Sequence, residues 1–188
     1  MDSNDPLRLD TQGAVQGLPL SLVIAMVLVI LVAPIAFEAL HNFSESTSRS
    51  DIENELNRFN EIALVVYSSQ SGGFTSSLTH KIEFSPASGV RIEHIRIGAD
   101  LRGDEYYKAN FTEYSIDGQA YMIMNSGQRF PIMVDGTGSL LIEDITTVFI
   151  RTLRLSLIEP NASESGLPCG GNEGIEVRFI CVEVIDNA

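Results

Sequence analysis

The chain of 188 residues is poor in basic residues, and lysine is the scarcest of them. Its formal net charge is −13, and Lys81 and Lys108 are the only lysines among twelve basic residues. A protein that binds nucleic acid needs a basic surface to neutralise phosphate, so this composition argues against a nucleic-acid partner. It argues equally against electrostatic attachment to anionic lipid headgroups.

Cysteine is also scarce, and recognisable catalytic motifs are missing. Cys169 and Cys181 are the only cysteines, twelve positions apart, and two thiols cannot by themselves form a four-ligand zinc site. In an oxidising compartment they would pair as a disulfide, whereas in a reducing one they would be two small buried residues. The sequence has no nucleophile elbow, P-loop, zinc-protease or dinucleotide-binding motif. We therefore expect no enzyme activity, no cofactor and no metal site.

Charge is absent from the whole segment between Asp10 and Glu38. Its most apolar part, residues 18–37, would form a helix about 30 Å long, which matches the hydrocarbon thickness of a bilayer. Pro34 predicts a kink in this helix or its end near the membrane face. The acidic start of the chain and the lack of a small-x-small cleavage site after the segment are atypical of a secretory signal. We expect the helix to insert in the membrane and to remain in the working protein.

Three N-x-S/T sequons follow this apolar segment, and none precedes it. They begin at Asn42, Asn110 and Asn161. N-glycosylation and disulfides are features of exported chains, so the sequons and the cysteine pair favour a C-terminal part outside the cell. The few basic residues that flank the segment give little information about its orientation.

Residues 51–71 have the apolar periodicity of a second, amphipathic helix. Its apolar face consists of Ile52, Leu56, Phe59, Ala63 and Val66. The other faces would carry Asn54, Asn57, Asn60 and Glu61. Ser50 and Glu53 form a capping-box pattern at its start, and glycines at 72 and 73 would end it. The serine- and threonine-rich residues 38–50 predict a hinge or a loosely helical stalk at the membrane surface, between the two helices.

The remainder of the chain, residues 79–188, alternates apolar and polar residues with a period of two. Asp117-Gly118 and the glycine-rich residues 135–138 predict hairpin turns, and an extra residue at Glu93-His94 predicts a bulge. Another strand would bring together Ile175, Val177, Phe179 and Cys181. We expect an α+β fold in which two helices precede an antiparallel, β-sandwich-like head.

Three groups of polar residues are the candidates for a binding site, and each has a plain structural interpretation. His80 and His94 could meet across two strands, although exposed or satisfied histidines are more common. Asp135 and Glu143 flank a glycine turn but lack the acid spacing of a calcium loop. A solvated loop or an adhesive contact is the interpretation of a last group, which contains Asp100, Asp104, Glu105, Tyr106 and Tyr107.

The segment "DTQGAVQGLPLSLVIAMVLVI", residues 10–30, resembles the N-terminus of archaeal type IV pilin-like proteins. The resemblance implies that a membrane-bound prepilin peptidase removes a leader by cutting after Gly13 or Gly17, and that the apolar helix is kept. Subunits of that family leave the bilayer and bundle these helices into a filament core, with β-rich heads outside. The family often has a basic residue before the glycine, where this chain has Gln12 or Gln16.

The resemblance implies a structural or minor subunit of a surface filament, whose partners are membrane lipid, copies of itself or related subunits, and the peptidase. The implied organisation is a leader at 1–17, a transmembrane and filament-core helix at 18–37, the stalk, the amphipathic helix and an extracellular domain at 79–188. A single-span anchor for an outward-facing binding or sensing domain is the alternative, and an anchored enzyme is a third.

Overall fold

A computed structural model describes residues 17–69, 77–104, 106–124, 130–160, 169 and 175–185. The chain divides into two compact units, Met1–Phe43 and Ser44–Ala188. One long helix and two sheets make up the described secondary structure, so the fold is α+β.

Helix α1 extends over 52 residues, Gly17–Ser68. The expectation of a separate second helix at 51–71 is therefore wrong, since residues 51–68 are the last part of α1 and residues 38–50 are helical as well. Residues 70 and 71 lie outside the described residues. The physical reason is that no glycine or proline lies between Pro34 and Gly72 to interrupt the helix. Pro34 cannot donate a backbone hydrogen bond to the Ile30 carbonyl, yet the helix continues past it.

The described strands form two four-stranded sheets, and a 3-10 helix at Tyr106–Asn110 precedes the third strand. The first sheet has the order β1-β7-β8-β5 and the second has the order β4-β3-β2-β6. The strands are β1 Ser77–Phe84, β2 Ile92–Ile97, β3 Phe111–Ile116, β4 Gln119–Met124, β5 Ile132–Val134, β6 Leu140–Ile145, β7 Phe149–Ile158 and β8 Phe179–Ile185. Pairing is antiparallel, as expected, except between β5 and β8, which run parallel at the edge of the first sheet.

Local backbone features follow the turn chemistry of the sequence. Asp117 and Gly118 join β3 to β4 with φ values of 45° and 83°, the left-handed conformation that a two-residue hairpin turn requires. The register of β2 against β3 shifts between Ile92 and His94, as expected for a bulge there.

The main hydrophobic core joins the second part of α1 to both sheets. The five residues of the predicted apolar face, from Ile52 to Val66, are all buried. The strands contribute, among others, Ile82, Ile95, Tyr114, Leu155 and Val182. Asn60, predicted on a polar face, is 0% exposed instead, because it lies one turn from both Leu56 and Ala63 on the buried side. Neither atom of its amide group has a hydrogen-bond partner among the described residues.

A second, smaller cluster surrounds the cysteine pair. Cys169 and Cys181 form a disulfide with a Cα–Cα distance of 6.0 Å. Buried residues around it are Met133, Ile158, Ile175 and Phe179. In β8, Phe179 and Cys181 belong to this cluster while Ile180 and Val182 belong to the main core, so both faces of the strand are covered. Val177, expected beside Phe179, is 52% exposed because it precedes the strand.

Candidate functional site

The most unusual surface of the molecule is the apolar first part of α1. Its large apolar side chains from Leu20 to Phe43 are exposed, with fractions that run from 48% at Val27 to 72% at Phe37. None of the most apolar 18-residue window is buried, and the helix is long and apolar enough to cross a membrane. Burying one such side chain away from water is worth roughly 1.5–3 kcal/mol. Covering the whole surface would therefore gain tens of kcal/mol relative to leaving it exposed to water. We call residues 20–43 the apolar segment.

A leader would be cut after one of two glycines, and the structure describes only the second of them, Gly17. Gly17 is the first residue of α1. Gly13 lies outside the described residues. A cut after Gly17 would therefore remove only the first residue of α1 and leave Leu18 at the new N-terminus.

A polar network fastens the second part of α1 to the second sheet. The Glu53 carboxylate accepts hydrogen bonds from the Arg49 Nε at 2.8 Å and from the Tyr114 hydroxyl at 2.7 Å. Arg49 also lies over the Tyr121 ring, 4.3 Å from its centre, and that ring stacks on Tyr114. The bond from Arg49, followed by that from Tyr114, lowers the pKa of Glu53. Ser50 lies within the helix, so the predicted capping box does not form and Glu53 serves as a tertiary contact.

Burial raises the pKa of the fully buried Tyr114, and the bond to Glu53 adds to the effect. The phenol therefore remains protonated and acts as a hydrogen-bond donor at any physiological pH. This arrangement connects α1 to β3 through a side-chain hydrogen bond.

A polar groove of about 630 Å³ lies between α1 and β1. Asp51, Asn54, Glu55 and Arg58 line it from the helix, and Thr79, His80, Lys81, Glu83 and Ser85 line it from the strand and the residue after it. His80 is 6% exposed, and its Nε2 lies 3.6 Å from Glu55 Oε1 without a hydrogen bond. Burial lowers the pKa of His80 more than the Glu55 carboxylate raises it, so the ring is neutral near pH 7.

His80 and His94, which could have met across two strands, lie in different sheets. His80 belongs to β1 in the first sheet and His94 to β2 in the second. His94 lies instead 3.7 Å from Glu113, which also binds Arg96, on a partly exposed face of the second sheet.

Asp135 and Glu143, which flank the glycine turn, have separate positions in the fold. The Asp135 carboxylate accepts a hydrogen bond of 2.6 Å from the backbone N–H of Cys169, while Glu143 lies opposite His94 on β6. Within the described ranges, no group of three or more histidine, cysteine, aspartate or glutamate side chains could hold a metal ion.

The tyrosine pair of the acidic loop lies on the surface. Tyr106 and Tyr107 are exposed and meet edge to face, at 6.5 Å between ring centres. Asp100 binds the backbone and side chain of Arg102, which lowers the pKa of Asp100. Asp104 is exposed, and Glu105 lies outside the described residues.

The sequons differ in environment. Asn42 is exposed on α1, while Asn110 is half-buried at the end of the 3-10 helix, and Asn161 lies outside the described residues. The third residue of the Asn110 sequon, Thr112, is fully buried in β3, which periodicity alone did not indicate.

A comparison of the chain with known protein families, with characterised proteins and with solved structures finds no match.

Proposed function

We propose that the protein is a pilin-like subunit, structural or minor, of an archaeal surface filament. The observation that carries the proposal is the apolar segment, whose side chains are exposed on every face of α1. A membrane covers this surface before assembly, and the same segments of neighbouring subunits cover it in the filament.

The chemistry of the segment suits both surroundings. Its residues 20–37 carry no charge, so over that length neither lipid nor a bundle of like helices has to accommodate an unpaired charge. Most of its side chains are aliphatic and of medium length, which allows close packing between parallel helices. The free energy gained by covering it, tens of kcal/mol, is sufficient to drive insertion or bundling.

The continuity of α1 supports the same proposal. One uninterrupted helix carries the apolar segment at its start and the buried face from Ile52 to Val66 near its end. The same helix therefore belongs in this proposal both to the filament core and to the head. The head, in this proposal, is a β-sandwich-like domain outside the cell, stapled by the disulfide and modified by glycans.

A leader cut precedes assembly in this proposal. A prepilin peptidase cuts after Gly13 or Gly17 on the cytoplasmic side, and the mature chain begins with Ala14 or Leu18. The apolar segment remains intact after either cut, as bundling requires.

Peptide mapping of the native protein tests the proposal. Membranes and a fraction sheared from the cell surface are analysed separately by mass spectrometry for the N-terminus. We expect Ala14 or Leu18 as the first residue in both fractions and filaments in the sheared one. Gly13→Val and Gly17→Val, made singly, identify the cut, because only the variant at the used glycine should retain Met1.

An intact Met1 in the membrane fraction together with no protein in the sheared fraction would contradict the proposal. That pair of results would favour the single-span anchor of an outward-facing binding or sensing domain. The two functions share the membrane helix, so membrane association by itself does not separate them.

A further inference from the structure

The side chain of Thr112 is buried in the second sheet, its hydroxyl included. Thr112 lies in β3, opposite Ile97 of β2 and Ile123 of β4, and is 0% exposed. Its Oγ1 has no hydrogen-bond partner among the described residues and no access to water. A buried hydroxyl without a partner destabilises a fold, and a valine of the same shape would avoid this loss. The stability of the fold therefore does not explain why this position is a threonine.

The sequence around Thr112 supplies one. Asn110-Phe111-Thr112 is an N-x-S/T sequon, and the third residue of a sequon must carry a hydroxyl. We propose that Asn110 is N-glycosylated and that Thr112 is used at that step, before β3 joins the second sheet. The proposal rests on the proposed function in one respect, since it requires the unit Ser44–Ala188 to be outside the cell.

The order of events follows from burial. β3 lies between β2 and β4, so a transferase has no access to Thr112 once the sheet has formed. The substrate is thus the extended chain as it emerges from the membrane. This order distinguishes Asn110 from a site that is modified on the finished protein.

The reaction needs only one co-reactant, an oligosaccharide linked through phosphate to a lipid. Nδ2 of Asn110 attacks the anomeric carbon of the first sugar, and a C–N bond forms. The bond between that carbon and the phosphate oxygen breaks, the lipid phosphate leaves, and the amide loses one proton to a base of the transferase. The second amide hydrogen remains and can still be donated.

The folded protein has room for the product. Asn110 lines a groove of about 390 Å³, whose other walls are Tyr67, Leu101, Tyr106, Pro131, Val177 and Arg178. Aromatic and aliphatic walls suit the C–H faces of a sugar ring. Nδ2 donates to the Tyr107 carbonyl at 3.4 Å, a bond that the remaining amide hydrogen can keep. A glycan on Asn110 is therefore compatible with the fold.

Glycopeptide mass spectrometry of the full-length protein from its native host tests the modification. We expect a glycan on the peptide that contains Asn110 in the wild type and in Thr112→Ser, and its complete loss in Thr112→Val. A second measurement uses full-length protein in detergent from a host without N-glycosylation. There Thr112→Val should have a thermal midpoint equal to or above that of the wild type.

Two results would overturn the inference. One is an unmodified Asn110 in wild-type protein whose C-terminal unit is digested by protease on intact cells, because the location then holds and the site does not. The other is a lower midpoint of the unmodified Thr112→Val, because the hydroxyl would then serve the fold. If protease does not reach the C-terminal unit and Asn110 is unmodified, the proposed function fails together with the inference.

Discussion

The two parts of α1 belong to one helix but have opposite relations to water. In the apolar segment, residues 20–43, large apolar side chains occupy all faces and are exposed. In residues 44–68 they form a stripe, from Ile52 to Val66, that is buried in the core of the C-terminal unit. Neither part is more helical than the other, so backbone structure does not account for the contrast.

The difference teaches that the distribution of apolar residues around a helix decides what covers it. A single stripe can be covered by one neighbouring layer, which here is the pair of sheets. Apolar residues on every face need a covering on all sides, which lipid or a ring of other helices provides. The contrast within α1 can be tested by substitutions of the same kind in the two parts.

Phe59→Ala should have the largest effect. Phe59 is fully buried in the second part of α1, and its truncation leaves a cavity, so we expect a loss of about 3–5 kcal/mol in the free energy of unfolding. Thermal or denaturant unfolding of the full-length protein in detergent measures it. Phe43→Ala is the control, because Phe43 is 71% exposed and its truncation should cost less than about 0.5 kcal/mol. Equal losses in the two variants would abolish the distinction between the two parts.

Val27→Arg should impair the apolar segment and leave the C-terminal unit unchanged. A charge in the middle of the apolar segment costs about 2.5–3.5 kcal/mol for membrane insertion, and it should abolish recovery of protein in the sheared filament fraction. The core of the C-terminal unit should keep its unfolding midpoint. Val65→Arg is the matched control in the same helix, since Val65 is exposed and belongs to the second part. Normal filaments from Val27→Arg would show that the apolar segment is not covered by lipid or by other helices.

Tyr114→Phe should weaken the attachment of the second part of α1 to β3. It removes the hydrogen bond to the Glu53 carboxylate, and we expect a loss of about 1–2 kcal/mol in the free energy of unfolding. In a Glu53→Gln background the same substitution should cost less, because the charged acceptor is already gone. Additive losses in this double-mutant cycle would mean that the two residues do not interact.

His80 should give a smaller, pH-dependent effect. Burial lowers its pKa below the ordinary 6.5, so the unfolded chain binds a proton more readily than the folded one. Stability is then fully present above about pH 6.5 and decreases as the pH falls toward the folded pKa. We expect the unfolding free energy of His80→Gln to fall less than that of the wild type between about pH 7.5 and 5.5, because the substitution removes the buried titrating group.

His94→Gln is the control for that pH series, because His94 is partly exposed in the other sheet. Denaturant unfolding at several pH values gives both curves. An identical pH dependence in wild type and His80→Gln would assign the pH effect to other groups.

Short-range features of the fold were predictable from the sequence. The hairpin at Asp117-Gly118 and the bulge near His94 depend on residues that are neighbours in the chain. The apolar face from Ile52 to Val66 was predictable because helical periodicity is a property of one segment.

Other predictions failed where a residue's contacts depend on an element that is distant in the sequence. A capping-box pattern at Ser50 and Glu53 was outweighed by the uninterrupted helix around it, and Glu53 binds Tyr114, 61 positions away. Asn60 is polar but lies between Leu56 and Ala63 on the buried side, so packing of the sheets covers it. The strand assignment at Val177 failed because alternation does not show at which residue a strand begins.

The sequence by itself determined that one helix is too apolar for water, that a β-rich unit follows it and that two cysteines are available to pair, because each depends on composition or on local periodicity. Only the tertiary structure decided that α1 is continuous, that the two histidines lie in different sheets, that β5 pairs parallel to β8 and that Thr112 is buried with no hydrogen-bond partner in the described part of the chain. These depend on which distant segments pack together, and the burial and hydrogen bonding of a residue are properties of its neighbours in space.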